Sequence, residues 1–294
     1  MLENRVLYCK DNLSVLRRLP SSSVQLIATD PPFNKGKVFE SKGASFSDKW
    51  SAIEDYDLPG QVGKVIDIAT GSMSGYLSFL TPRLLEMRRV LREDGSIYLH
   101  IDWTAHAYVK ILMDAIFGAS NFRNEIIWSY TGPSVSRRFY PRKHDTILFY
   151  TKTDKYVFNA DDIRVPYKRP PGDGLGFARR GMLVGGRVNR LTNAELAEYL
   201  KRGKMPESYW LDFSHNMHMA RERTGYPTQK PCGLYRRMVK ASSEVDQFVL
   251  DPFCGSGTTL VAAEQLCRRW MGIDELDAAI KIAQTRLPKA KIAP

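Results

Sequence analysis

Short apolar runs alternate with amphipathic ones at both ends of the chain, and this limits the fold more than any other feature of its 294 residues. Strands separated by helices must cross over to pair, so the alternation predicts an α/β sheet, largely parallel, with helices on both faces. Val6-Leu7-Tyr8-Cys9 reads as a short apolar strand. Asp11 or Asn12 then caps a helix with Leu13, Leu16 and Leu19 inward, stopped by Pro20. A buried strand over 24–28 runs straight into Asp30-Pro31-Pro32-Phe33. A helix over 82–91 follows, then Gly95, a strand over 96–101 and a helix over 103–117. Stretches 125–130 and 146–150 read as paired strands around an arginine-rich turn. The pattern resumes with a helix over 232–242, a strand over 248–250, a helix after a glycine turn and a strand over 270–273.

Between these flanks the alternation breaks, and there the charge collects. The chain carries 43 Lys and Arg against 32 Asp and Glu, a net +11. From Ser136 to Lys230 there are 19 basic and 10 acidic residues, so this segment alone holds +9. A solvated charged face is one explanation. Arg137-Arg138-Phe139-Tyr140-Pro141-Arg142-Lys143 and Tyr167-Lys168-Arg169 point further, because they interleave cations for phosphates with rings on which bases stack. Pro170-Pro171-Gly172-Asp173-Gly174-Leu175-Gly176, followed by Gly181, Gly185 and Gly186, has too many breakers for a regular element. The expectation is a flexible basic insertion. Within it, Thr192-Asn193-Ala194-Glu195 is a capping box opening a short helix that ends near Gly203. Arg187, Arg190, Lys201 and Arg202 surround that helix as candidate groove contacts.

Several classes are disfavoured. No apolar stretch approaches the roughly 20 residues that cross a bilayer, and Met1 to Arg5 lacks a signal-peptide layout. Cys9, Cys232, Cys254 and Cys267 are scattered without a C-x-x-C pair and read as reduced thiols of a cytoplasmic protein. His215 and His218 lie three apart without two further ligands, so no metal is expected.

Ligands of open α/β sheets bind beyond the carboxyl ends of strands, which gives weight to two motifs there. Asp251-Pro252-Phe253-Cys254-Gly255-Ser256-Gly257-Thr258-Thr259 is a strand end, a glycine turn and a helix start. Its glycines allow close backbone approach and the amides of Thr258 and Thr259 favour an anion, although a plain tight turn has the same pattern. Asp274 ends the next strand, placed either for ribose hydroxyls or as a helix cap. In Asp30-Pro31-Pro32-Phe33 the prolines remove donors and leave free carbonyls beside a carboxylate and an aromatic face. That set suits an exocyclic amine on a stacked base, and as a tetrapeptide it also reads as a turn.

Taken in order, these residues resemble the S-adenosylmethionine-dependent DNA amino-methyltransferases of the β class. That class places a D-P-P-F/Y motif first, a target-recognition segment in the middle and an F-x-G-x-G motif last, as Asp30–Phe33 and Phe253–Gly257 stand here. Arg89-Val90-Leu91, Asn124-Glu125-Ile126-Ile127-Trp128 and Lys143-His144-Asp145 are similar to the family's intervening segments. Pro227-Thr228-Gln229-Lys230-Pro231 is similar to its entry into the helix over the methionine moiety. The resemblance implies a Rossmann-like methyltransferase fold: a mostly parallel twisted sheet, helices on both faces, one antiparallel hairpin and a basic target-recognition insertion. Residues 1–150 would form its catalytic part, 151–226 the insertion and 227–294 the cofactor part. Asp30, Pro31, Pro32 and Phe33 would be catalytic. S-adenosylmethionine would lie on Asp11, Asp251, Phe253, Gly255, Ser256 and Gly257, with Thr258, Thr259, Asp274, Thr228 and Lys230 completing its site. Arg137, Arg138, Arg142, Lys143, Lys168 and Arg169, with Arg187, Arg190, Lys201 and Arg202, would meet double-stranded DNA. A cognate restriction endonuclease and a homodimer are the further partners implied.

The expected reaction is methylation of the N6 amine of a flipped adenine. Cytosine N4 is the alternative, because Ser more often replaces the motif's Asp in cytosine enzymes of the family. An RNA or protein-glutamine methyltransferase would carry an N-P-P-Y-like motif after the cofactor motif, the reverse of this order. A decayed nucleic-acid-binding module would have no need of Asp30, Phe33, Gly255 and Gly257 together.

Overall fold

The computed structural model describes residues 2–35, 38–41, 44–47, 62, 64, 66, 69, 71–130, 132, 136–167, 182–184, 187–189, 193–213 and 222–293. The strand β2 (Val24–Thr29) is buried along its whole length. Successive side chains of a strand point to opposite faces, so such a strand must be covered on both sides. Ile27 packs into one apolar cluster, while Leu26 and Ala28 belong to another. The same alternation separates Leu99 from Tyr98 in β5 (Leu91–Ile101) and Leu148 from Phe149 in β7 (His144–Thr151).

Helices α1 (Asn12–Leu16), α2 (Ser72–Val90) and α3 (His106–Phe117) supply the first cluster. Helices α5 (Cys232–Ser242), α6 (Thr258–Gln265) and α7 (Asp277–Arg286) supply the second. The sheet between them also contains β1 (Val6–Cys9), β6 (Phe122–Ser129), β10 (Tyr209–Trp210), β11 (Phe248–Asp251), β12 (Arg269–Asp274) and β13 (Lys291–Ala293). Its order is β10-β6-β7-β5-β2-β11-β12-β1-β13. All neighbours are parallel except β5·β7 and β6·β7. This is the mostly parallel α/β fold of the sequence reading, with β6 and β7 as its antiparallel hairpin. A separate hairpin pairs β3 (Val38–Ser41) with β4 (Ala44–Ser47). Among the described residues, no helix is long and apolar enough to cross a membrane.

Three element boundaries differ from expectation. Pro82 stands inside α2, not at its start. Proline suits a first helical turn, but Tyr76, Leu77 and Leu80 are fully buried ahead of it, so packing carries the helix through. Strand β5 begins at Leu91, which pairs with Val24 across an irregularity in register. Gly95 lies in this bend, where a Cβ would come within 2.9 Å of the Arg92 carbonyl oxygen. Helix α3 begins at His106 because the Asp102 carboxylate accepts from the Thr104 amide at 2.9 Å and shapes the preceding turn.

The chain divides into two units, 1–158 with 208–294 and Asn159–Glu207. The second is narrower than the expected insertion of 151–226, because segments on either side pack on the main sheet. Lys152 and Val157 donate backbone bonds to Gly95 and Asp94, and Tyr209–Trp210 adds a parallel strand to β6. Within the second unit, β8 (Met182–Val184) pairs with β9 (Arg187–Asn189), and α4 spans Asn193–Arg202. Val165 and Lys204 exchange backbone bonds of 2.8 and 2.9 Å. Gly203, with φ +76°, lies so close to Val165 that a Cβ would stand 2.6 Å from its carbonyl oxygen.

Candidate active site

The carboxyl ends of β1, β2, β11 and β12 open into one cleft of about 470 Å³. Asp30, Pro31, Pro32 and Phe33 line one side, directly after β2. Phe253, Cys254, Gly255 and Ser256 line another, after β11. The two motifs are over two hundred residues apart in sequence and adjacent in space because β2 pairs with β11. Asp11, Thr228, Lys230, Asp251, Thr258, Thr259 and Asp274 also line the cleft. Gly257 does not; its φ of +76° turns the chain into α6, and a Cβ there would meet the Ala283 Cβ at 3.0 Å.

Each wall is held by bonds between distant elements. Thr29 donates to the Asp251 carboxylate at 2.6 Å, and Thr259 donates to the Ala28 carbonyl at 3.0 Å. Burial pushes the Asp251 carboxyl up to about 7, against the donors from Thr29, Thr259 and the Phe253 amide. Asp274 accepts from the Gly255 and Leu276 amides, each at 2.9 Å, so it orders the glycine turn and the approach to α7 together. Burial raises it to about 6. Burial also pushes the Cys254 thiol well up, which suits packing in the turn and not a nucleophile.

Asp30 stands apart from these satisfied carboxylates. Its Oδ2 is paired with the Lys230 ammonium. Its Oδ1 is buried and has no hydrogen-bond partner among the described residues. A buried acceptor in that condition costs free energy until a donor arrives. Lys230, expected among the cofactor contacts, lines the cleft and pairs with the Asp30 carboxylate. Its ammonium also lies 4.9 Å from the centre of the Phe33 ring, as does that of Lys35.

The sequence reading missed a buried arginine. Arg83 donates to the Asp11 carboxylate at 2.6 Å, to the Asn12 side chain at 2.7 Å and to the Phe79 carbonyl at 2.7 Å. It lies 3.7 Å over the Phe79 ring, and Asn12 in turn donates to the Pro252 carbonyl at 2.7 Å. Asp11 is thus both the α1 cap, accepting from the Ser14 amide, and one end of this brace. Tyr226 and Tyr235 are further lining residues with no local signal in sequence.

Beside Phe33 lies a second polar group. The His100 ring is 5.8 Å from that of Phe33, and its Nε2 bonds the Asp145 carboxylate at 3.1 Å. Burial raises Asp145, but the bond and charge of His100, with Lys230 and Lys35, outweigh it and hold the carboxyl at about 2. Asp102 pairs with Lys35 at 3.2 Å. His100 and Asp102 thus support the Phe33 wall.

The expected DNA contacts fall in several places. Arg137, Arg138 and Arg142 are exposed on the β6–β7 turn, with Lys143 half-buried. Lys201 and Arg202 end α4, where Arg202 pairs with Asp161 at 3.0 Å. Lys168, Arg169 and Arg190 lie outside the described residues, as do Thr192, His215, Asn216 and His218. Arg187 lies in β9 with its side chain outside them. Among the described residues, no three His, Cys, Asp or Glu side chains gather as metal ligands.

Comparison with known proteins adds a family. Residues 24–285 match the model of a family described as DNA methylase. The chain is 33% identical to the type II methyltransferase M.HpaI of Haemophilus parainfluenzae, over 96% of this chain and 73% of that protein. It is 29% identical to the DNA adenine methyltransferase YhdJ of Escherichia coli strain K12, over 95% of this chain and 81% of that protein. Among solved structures, the cytosine-N4-specific PvuII DNA methyltransferase superposes with a TM-score of 0.63 at 15% identity, covering 100% of this chain and 89% of that one. That likeness concerns the fold.

Proposed function

The chain belongs to the DNA methylase family, and from that premise we propose that it transfers a methyl group from S-adenosylmethionine to the N6 amine of an adenine flipped out of double-stranded DNA. The observation that carries this reading is Asp30, which lines the same cleft as the glycine turn and Asp274 and whose Oδ1 is buried with no hydrogen-bond partner among the described residues.

The cleft fits the cofactor on its own terms. Its volume is that of a site for a ligand of this size. Asp274 spends one bond per oxygen on the backbone and keeps further acceptor capacity for ribose hydroxyls. Phe253 and Phe79, with ring centres 6.1 Å apart, give the cleft an apolar side. When bound, the cofactor supplies an electrophilic sulfonium methyl.

The protein's own task is to make an aromatic amine nucleophilic. That nitrogen's lone pair is delocalised into its ring. Asp30 Oδ1 and the Pro31 carbonyl would accept the amine's two N–H bonds, favouring a pyramidal nitrogen and stabilising the positive charge that builds on it. Asp30 would afterwards take the proton the methylated nitrogen gives up. Lys230 occupies the other oxygen, so Oδ1 would be the one left to accept from the amine. Phe33 would hold the extruded base by stacking, worth roughly 1–3 kcal/mol.

Adenine is favoured over cytosine by the aspartate in the D-P-P-F position and by the likeness to an adenine enzyme over nearly the whole chain. A cognate restriction endonuclease and a homodimer remain proposals of the same reading. The experiment is to incubate the purified chain with unmethylated DNA and isotopically labelled S-adenosylmethionine, digest to nucleosides and identify the labelled species. N6-methyladenine is expected. N4-methylcytosine would move the assignment to the other base, and label in neither would end the methyltransferase reading.

A further inference from the structure

Next to the Phe33 wall stands a cation–aromatic platform that the transfer chemistry does not use. Arg142 lies 3.7 Å over the Trp103 ring and 4.8 Å from that of Phe139. In the turn that carries Phe139 and Arg142, Ser136 donates to the Phe139 carbonyl at 2.9 Å, and at the far end the Lys143 carbonyl accepts from the Tyr130 amide at 3.0 Å. At the tip Tyr140 is 95% exposed and Phe139 58% exposed. Pro141 restricts the backbone just after the tip. Arg137, Arg138, Arg142 and Lys143 flank the two rings in sequence, with no acidic residue from 136 to 143.

This turn shares a corner with the acceptor site. Trp103 follows Asp102, whose carboxylate pairs with Lys35 over the Phe33 ring. Two residues beyond Lys143, Asp145 bonds His100, whose ring lies 5.8 Å from that of Phe33. An exposed, cationic, aromatic tip beside this pocket suits a polyanion with stacked rings.

Resting on the function proposed above, we infer that the 136–143 turn is a wedge and that Tyr140 enters the space vacated by the extruded nucleotide. Extrusion breaks stacking on both neighbours and orphans the pairing partner. A flat side chain in the gap restores stacking there, and cations beside it neutralise the flanking phosphates. The Arg142 guanidinium on the Trp103 ring holds one end of the tip before DNA arrives, which lessens the ordering that binding must impose.

The test uses a duplex carrying the chain's own site, mapped by modified-base sequencing of DNA from cells that express it. A second duplex is identical but has an abasic nucleotide opposite the target base, so that no pairing has to be broken. Tyr140→Ala is expected to lower kcat/KM about 10- to 100-fold on the paired duplex, the effect expected of removing one stacked ring, and less than about threefold on the abasic one. Tyr140→Phe and Tyr140→Trp should stay near wild type on both. An unchanged rate for Tyr140→Ala on the paired duplex, or equal loss on both duplexes, overturns the wedge. A wild-type chain that methylates neither duplex removes the methyltransferase reading itself, an outcome separate from failure of the variant.

Discussion

At the scale of single residues, the carboxylates of the cleft divide by what already satisfies them. Among the described residues that line the cleft, Asp30 alone combines an ammonium on one oxygen with, on the other, a buried acceptor that has no hydrogen-bond partner. Asp30→Asn keeps one acceptor oxygen and should retain more methyl transfer than Asp30→Ala, which should abolish it. Both should bind S-adenosylmethionine by calorimetry within a few-fold of wild type. Loss of cofactor binding by Asp30→Asn, with transfer intact in the bound fraction, would contradict the assigned role. Asp251 makes a prediction of another kind. Burial pushes its folded carboxyl up to about 7, against about 3.9 for an unfolded aspartate. Between those values the folded chain holds a proton that the unfolded chain has lost. The stability from this group is therefore complete below pH 4 and is lost as pH rises to 7. An amide imitates the protonated form at every pH. The Tm of Asp251→Asn relative to wild type should rise between pH 5 and pH 8, as scanning calorimetry would show; a constant offset would mean the carboxyl is already ionised.

At the scale of elements, the two glycines of the turn after β11 are predicted to separate binding from folding. Gly255 has φ +47° and lines the cleft, and a Cβ there would press on the Tyr226 ring at 3.2 Å. Gly257 has φ +76° and faces Ala283 on α7, outside the cleft. A side chain held at positive φ costs of order 1–3 kcal/mol. Gly257→Ala should lower Tm in keeping with that cost while leaving cofactor affinity nearly unchanged. Gly255→Ala should weaken cofactor binding in addition, and isothermal titration beside thermal melts separates the two. These glycines were legible in the sequence because a strand, a glycine turn and a helix start are neighbours along the chain. So was the β2–Asp30 junction, where a continuous apolar run meets two prolines. The Arg83 brace was not, since its partners Asp11 and Asn12 lie more than seventy residues away and no local period records such pairs. The Lys230–Asp30 pair, 200 residues apart, was hidden for the same reason. Pro82 misled in the opposite direction, because a local preference for a helix start yields to burial on the sheet.

At the scale of the whole molecule, the +9 carried by 136–230 resolves into cations with different employment. Lys230 pairs with the Asp30 carboxylate. Arg164 and Arg202 share Asp161, and Lys204 pairs with Glu207, so these hold the second unit together. Arg137 and Arg138 are exposed and enter no ion pair among the described residues. Net charge alone treats all of these alike, yet only a cation able to displace condensed counterions contributes to salt-dependent DNA binding. Reversing Arg137 and Arg138 to glutamate should weaken binding to any duplex and reduce the log–log salt slope by about one for each phosphate no longer neutralised. Arg202→Glu should change the slope less, because its charge is already partly spent on Asp161. Anisotropy of a labelled duplex across a potassium chloride series measures both, with S-adenosylmethionine affinity as the control that should not move. A double variant whose slope equals that of wild type would place the DNA-binding surface elsewhere on the chain.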